Sequence, residues 1–339
     1  MPRKRIKISR PVRITSGWET DVYSFNTECR IDGRLGLDKL ILRLYPGNGA
    51  ETKASKEFYV MTQLHGMGYP VPQIYQLELD KSVLGRPFVI MEKIDGRSMG
   101  FEDLNETGNT TTTMLQLFCK MFVDLHALDV TPFLSNNRIF SDPSLYETDD
   151  PCSPVNRLIN DFRRRMISPP TDELAFNLFN RIVDWLEKKK STARSRKLSL
   201  AHLDYHPYNI LIRNDGAPFI IDWTGFDITD YRVDLAWTLL LCSTYGEPKM
   251  RDRILRMYEK IARSNVENIE YFEVIAATRR IGSIYLSLRD GAEKLGMLPE
   301  TVETMRKQKR HIETVIKVLS DRTGIALEEF EELKILWSG

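Results

Sequence analysis

The 339 residues carry 48 Lys and Arg against 47 Asp and Glu, and the formal net charge of +1 leaves no field strong enough to imply nucleic acid or an anionic membrane surface as a partner. The length suits one large or two moderate globular units, and the longest apolar runs, such as Leu239-Leu240-Leu241-Cys242, fall far short of a membrane span. The basic start from Met1 to Arg10 lacks the apolar stretch of a signal peptide and reads as a solvated tail ahead of a first strand, so the expected location is cytoplasmic.

The first ninety residues are dense in strand signals. V-R-I-T-S-G-W-E-T-D-V-Y-S-F reads as two β runs around a turn, and L-D-K-L-I-L-R-L-Y as a third strand with Leu40, Leu42 and Leu44 on one face and Ile41, Arg43 and Tyr45 on the other. A helix follows, with Ala54, Phe58, Met61 and Leu64 at helical spacing, Glu57 on or beside the inward face, and G-M-G-Y-P-V-P as its stop. I-Y-Q-L-E-L and R-P-F-V-I-M-E-K read as a hairpin of two more strands. Beyond I-D-G-R-S the pattern is mostly helical, with Met114, Phe118, Met121, Phe122 and Leu125 as the clearest apolar stripe. The stretch from Asp129 to Pro154 reads as loop, and the chain from Asp234 onward as helix. This predicts a small strand-rich lobe over residues 1–93 and a larger helical lobe over 94–339, an α+β arrangement. The cysteines at 29, 119, 152 and 242 show no CxxC spacing and read as free thiols.

Residues 202–209 are H-L-D-Y-H-P-Y-N, followed by I-L-I-R, then N-D-G, then A-P-F-I-I-D-W. Asp-Gly between apolar runs is a hairpin signal, and a two-residue turn centred on Asp215-Gly216 sets Asn209 opposite Asp222. An amide oxygen and a carboxylate meeting there suit a hard cation such as Mg²⁺. Three readings apply: a catalytic loop, a zinc site on His202 and His206, or an ordinary turn. The two histidines stand four apart, as ligands on a helix do, but Pro207 and the strand behind it disfavour a helix.

The H-L-D-x-x-x-x-N segment followed by I-D-W resembles the catalytic motif of the aminoglycoside phosphotransferase and choline kinase-like family, which has the protein-kinase-like bilobal fold: a small antiparallel-sheet lobe with one main helix, and a mostly helical lobe with a catalytic β-hairpin. The resemblance implies Asp204 as catalytic base, with Asn209 and Asp222 as metal ligands. S-G-W-E-T-D-V-Y is similar to the phosphate-covering loop and implies a role for Gly17. Arg43 stands where many kinases place a phosphate-binding Lys, with Glu57 as its ion-pair partner. F-V-I-M-E-K-I is similar to the interlobe hinge and implies adenine contacts from the backbone of Glu92 and Ile94. Asp234, in D-Y-R-V-D-L-A-W, would brace the catalytic loop from a helix start.

The expected activity is transfer of the γ-phosphate of ATP, or another NTP, with Mg²⁺, to a hydroxyl of a small molecule such as an aminoglycoside, sugar or amino alcohol. Only eleven residues separate Asp222 from Asp234, leaving no segment on which a peptide substrate would dock. No nucleic-acid or membrane partner is expected, and the chain would act as a monomer or homodimer. The rival from another class is a catalytically weak or inactive, kinase-like nucleotide-binding scaffold that acts through partner proteins.

Overall fold

The computed structural model describes residues 6–14, 20–31, 34–105, 109–136, 138–140, 142, 146, 149–167, 173–195, 197–291, 294, 298, 303 and 309–330. The chain divides into two compact units, one from residues 1–98, 210–224 and 291–301 and the other from 99–209, 225–290 and 302–339, each as far as it is described.

The first unit is built on an antiparallel sheet of β1 (Ile6–Ile8), β2 (Val12–Ile14), β3 (Asp21–Ile31), β4 (Arg34–Leu44), β5 (Ile74–Glu78) and β6 (Phe88–Glu92). The order is β1-β3-β4-β6-β5, with β2 also on β3. Strands β3 and β4 pair from Asp21–Leu44 to Ile31–Arg34, and β4 pairs with β6 from Leu40–Glu92 to Leu44–Phe88. Alternation along a strand turns Arg43 and Tyr45 inward together; they are 6% and 1% exposed. A charged side chain on that face needs partners.

One such partner comes from α1 (Ala50–Gly66), which buries Ala50, Ala54, Glu57, Val60, Met61 and Leu64. The expected stripe included Phe58, which is only half-buried. The buried stripe is centred one position over, through Glu57, so the carboxylate lies in the middle of the inward face. The expected hairpin of β5 and β6 is present, with a bulge at Ile74/Gln76 and a single turn of helix, α2 (Lys81–Leu84), at its tip.

A second sheet of this unit has the order β10-β9-β7, from β7 (Gly96–Ser98), β9 (Ile210–Arg213) and β10 (Pro218–Ile220). Its register corrects the sequence-based one. Ile210 pairs with Ile220, Leu211 with Phe219 and Ile212 with Pro218. The Arg213 N–H donates to the Ala217 carbonyl and the Gly216 N–H to the Arg213 carbonyl, both at 2.8 Å, so the loop has three residues, not two. A two-residue turn of the expected type needs positive φ at both central positions. Here Gly216 has φ +89° while Asp215 is not left-handed; its carboxylate accepts the Ala217 N–H at 3.1 Å and pairs with Arg213. The added loop residue slips the ladder by one. Asn209 and Asp222 are therefore not directly opposed partners, and both lie beyond the last pair, Ile210–Ile220.

The second unit contains α3 (Phe101–Asn105), α4 (Asn109–Ala127), α5 (Thr131–Leu134), α6 (Ser153–Phe162), α7 (Glu173–Lys189), α8 (Tyr231–Tyr245), α9 (Met250–Ala262), α10 (Ile269–Asp290) and α11 (Lys309–Thr323), with one short ladder of β8 (Ser199–Ala201) on β11 (Asp227–Thr229). Its core is a close-packed set of fully buried side chains that includes Phe118, Phe122, Leu235, Leu239, Phe272 and Ile281. Helix α8 is buried at nearly every position from Arg232 to Cys242, so it runs through the interior. None of the described helices is long and apolar enough to cross a membrane.

Candidate active site

In the strand-rich unit, three of the sequence-predicted residues come together. Arg43 Nη1 lies 3.0 Å from Glu57 Oε1 and its Nη2 lies 2.9 Å from Asp222 Oδ1. Glu57 is fully buried, and it also accepts the Tyr45 hydroxyl proton and, at 3.1 Å, the backbone N–H of Trp223. Burial works against the charge on the Arg43 guanidinium, but Glu57 and Asp222 more than offset it and raise its pKa. Burial pushes the Glu57 carboxyl up, and the negative charge of Asp222 adds to this against the pull of Arg43. A fork with two separate nitrogen donors is what allows one cation to bind two carboxylates at once.

Asp222 itself is left-handed, with φ +68°. Its Oδ1 takes both the Arg43 bond and, at 3.2 Å, the Thr224 hydroxyl. Trp223 is fully buried beside it, donating its indole N–H to the Ile220 carbonyl at 3.1 Å and meeting Tyr69 edge-on. The turn after β10 thus drives the tryptophan inward and leaves the Asp222 side chain 33% exposed.

In the helical unit, the 202–209 segment alternates between buried anchors and half-buried or exposed groups. Tyr205, fully buried, stacks on Phe122 at 4.1 Å, donates to the Phe118 carbonyl at 2.8 Å, and has its own carbonyl capped by the Thr238 hydroxyl at 2.7 Å. Upstream, the carboxylate of Asp234 accepts the backbone N–H of His202 at 2.6 Å and of Leu203 at 2.8 Å. Asp234 lies in the first turn of α8 and is fully buried; His126 Nε2 stands 3.4 Å from it, and the other His126 nitrogen bonds the Tyr258 hydroxyl at 2.9 Å. Leu203 has φ +60°, unusual for a residue with a branched side chain.

Between these anchors the Asp204 side chain is 41% exposed. The Trp237 indole N–H donates to its Oδ1 at 3.2 Å, Asn209 Nδ2 donates to its Oδ2 at 3.2 Å, and His206 Nε2 stands 3.5 Å from Oδ2. Burial pushes the Asp204 carboxyl up, but its electrostatic interactions with the His206 and His202 rings and the bonds from His206 and Trp237 outweigh this and hold it well below the usual carboxylate range. Asn209 Nδ2 also donates to the Asp204 carbonyl at 2.9 Å. With both amide protons so used, the orientation of the amide is fixed and its oxygen is the end left to accept or ligate.

The zinc reading of His202 and His206 does not hold. Residues 207–209 form a 3₁₀ turn, not a helix. The fully buried His202 has its Nδ1 occupied, accepting the Asp204 N–H. Gly17 lies outside the described residues. At the predicted hinge, the Glu92 N–H already donates to the Gln73 carbonyl at 2.8 Å, and the Ile94 side chain is buried. Cys119, Cys152 and Cys242 are free thiols, and burial raises the pKa of Cys119 and Cys242 far above the thiolate range.

Sequence reasoning missed Tyr45, His126, Thr224 and Trp237. Tyr45 had a usable signal, since it shares a strand face with Arg43, and Thr224 stands only two residues from Asp222; His126 and Trp237 meet the site through contacts distant in the chain.

The model of the phosphotransferase enzyme family matches residues 11–269. Mouse acyl-CoA dehydrogenase family member 10 is 23% identical over 218 residues, which cover 61% of this chain and 19% of that protein, so the chain spans about a fifth of that relative's length. Among solved structures, a putative aminoglycoside phosphotransferase from Ralstonia eutropha superposes with a TM-score of 0.60 at 17% identity, covering 92% of this chain and 93% of its own. A ternary complex of aminoglycoside phosphotransferase APH(4)-Ia with AMP-PNP and hygromycin B gives 0.58 at 15% identity, covering 94% and 96%. Choline kinase LicA from Streptococcus pneumoniae gives 0.54 at 14%, covering 87% and 89%. These likenesses show the fold, the α+β protein-kinase-like one. With the family model extending over most of its length, from the second strand to the start of α10, the chain belongs to the phosphotransferase enzyme family.

Proposed function

We propose that the protein transfers the γ-phosphate of ATP, or of another nucleoside triphosphate, to a hydroxyl of a small molecule. The observation that carries this reading is the setting of Asp204: a half-buried carboxylate pinned by Trp237, His206 and Asn209 on a segment anchored from both sides. Such a group can orient an alcohol and take its proton as the oxygen gives it up; its low pKa makes it a weak base, so orientation is the larger part of its role. Family membership and the nucleotide complex of a structural neighbour support the triphosphate as donor. The hygromycin B in that complex and the choline kinase fold support a small acceptor.

Arg43 would meet a phosphate, with Glu57 holding it in place. At the hinge, a base would find the Glu92 carbonyl, since the Glu92 N–H is taken, and the Ile94 N–H. Asp222 in the strand-rich unit offers a carboxylate, and Asn209 in the helical unit offers an amide oxygen whose orientation its own N–H bonds fix; each is an oxygen donor of the kind a hard cation takes. Mg²⁺ bound at either donor would neutralise phosphate charge. Asp204 would engage the acceptor hydroxyl, and positioning supplies much of the remaining rate.

One observation favours the scaffold reading. Asp222 is bound to Arg43, so a cation would compete with a guanidinium for that carboxylate. ADP release with Mg-ATP over a panel of hydroxylated metabolites, antibiotics and nucleosides separates the two. Acceptor-dependent turnover supports the phosphotransferase; nucleotide binding without turnover across the panel supports the scaffold.

A further inference from the structure

We propose that Arg279, on α10, is a positioning residue for this reaction: by holding the Leu203 carbonyl and the Trp237 ring together, it fixes the Asp204 carboxylate. The inference rests on Asp204 being the group that engages the acceptor.

Two independent contacts of one guanidinium carry it. Arg279 Nη1 donates to the Leu203 carbonyl at 3.0 Å, and the guanidinium carbon lies 4.3 Å from the centre of the Trp237 ring. Each contact leads to Asp204 by a separate route. Leu203 is the residue immediately before Asp204, and its left-handed backbone is one that an L side chain holds only when its surroundings impose it. The Leu203 N–H goes to Asp234 at 2.8 Å and its carbonyl to Arg279, so both backbone polar groups of this residue are tied to side chains from helices far away in the chain. Trp237 is the donor to Asp204 Oδ1, on the opposite side of the carboxylate from Asn209 and His206. A cation over an indole face both attracts the ring and restricts its tilt. Take Arg279 away and the backbone before Asp204 loses one tether while the indole loses the group packed on its face.

Arg232 in the same unit shows the contrast. Its guanidinium binds Asp230 and the carbonyls of Ala193, Arg194 and Glu267, which ties loops together with no bond to the 202–209 segment. Arg279 instead reaches two neighbours that set where Asp204 points. No sequence motif singles it out, because α10 begins 65 residues after Asp204.

The test uses the whole chain with Arg279→Met and Arg279→Lys, each also on an Asp204→Asn background. NMR of the Trp237 indole N–H and exchange mass spectrometry of the 202–204 amides read the positioning directly. Arg279→Met should speed exchange of that indole proton and of those amides and lower kcat by about 10²-fold, with the nucleotide KM within about twofold of wild type. Arg279→Lys should recover part of the loss, and Arg279→Met should add nothing once Asp204 is Asn. Unchanged indole and amide exchange in Arg279→Met, or an equal kcat loss on the Asp204→Asn background, would overturn the proposal. Should Arg279→Met fail to fold, the same readings on Arg279→Lys decide it. If the wild-type chain transfers phosphate to no acceptor, the phosphotransferase reading fails, while the exchange measurements still decide whether Arg279 positions Asp204.

Discussion

Arg43 binds Asp222 at 2.9 Å while also binding Glu57 at 3.0 Å, so the helix α1 carboxylate and the carboxylate after β10 share one buried cation. Removing that cation leaves the fully buried Glu57 with only the Tyr45 hydroxyl and the Trp223 N–H. Arg43→Met should therefore cost about 3–5 kcal/mol, the range for breaking a buried ion pair from one side. Arg43→Lys should cost less, because it keeps the charge but cannot fork to both acids. Urea unfolding of the two variants checks this, and an Arg43→Met loss within about 1 kcal/mol of zero would mean that Glu57 is neutral in the folded state.

Asp234 is the brace beneath Leu203 and His202. Asp234→Asn keeps the shape but replaces one acceptor oxygen with an NH₂ group facing a backbone N–H. The cost should be about 1–3 kcal/mol for one unsatisfied buried donor. Hydrogen exchange at the His202 and Leu203 amides should rise by more than the global stability loss explains. An increase spread evenly over the unit would argue against a local brace.

His311, 4% exposed, accepts the Arg280 Nε–H at 2.6 Å and stacks on Tyr245 at 4.7 Å. Burial first, and the charge of Arg280 second, push its pKa down from 6.5 to about 3. The unfolded chain then binds a proton that the folded chain does not, between pH 6.5 and about 3. Stability due to this group is complete above pH 6.5 and falls as the pH is lowered through that window, by about 1.4 kcal/mol per pH unit. His311→Gln, which retains an acceptor for Arg280, should flatten this acid limb. Thermal melts from pH 7 to 4 give the comparison, and parallel curves for the two proteins would contradict the assignment.

Gly216 closes the three-residue loop at φ +89° with open space where a Cβ would stand. The penalty for Gly216→Ala is therefore one of backbone conformation, not collision, and should exceed about 0.5 kcal/mol. If the loop were instead the two-residue turn, Asp215 would also need positive φ, and Asp215→Gly would stabilise the protein. In the observed loop it should destabilise, since the Asp215 carboxylate holds Arg213 and the Ala217 N–H.

What was legible in the sequence followed periodicity and spacing. Strands β3 to β6 and helix α1 declared themselves by alternation and helical stripes, and the H-L-D-x-x-x-x-N and I-D-W spacing drew attention to Asp204, Asn209 and Asp222. The hairpin register was not legible to one residue, because the choice between a two- and three-residue loop rests on the φ of Asp215 and on its bonds to Arg213 and Ala217. Strands β7, β8 and β11 have three residues each, too few for any period to show. Trp237, His126 and Arg279 read as ordinary helix residues, since what connects them to Asp204 is tertiary packing.

The central claim is that Asp204 engages the acceptor while other residues hold the nucleotide. Its most direct test is Asp204→Asn, assayed side by side for phosphate transfer to whichever acceptor the panel identifies and for Mg-nucleotide affinity by calorimetry. The account predicts that kcat falls by about 10²- to 10⁴-fold while the nucleotide Kd is unchanged. Turnover at the wild-type rate, or loss of nucleotide binding in step with loss of turnover, would contradict it.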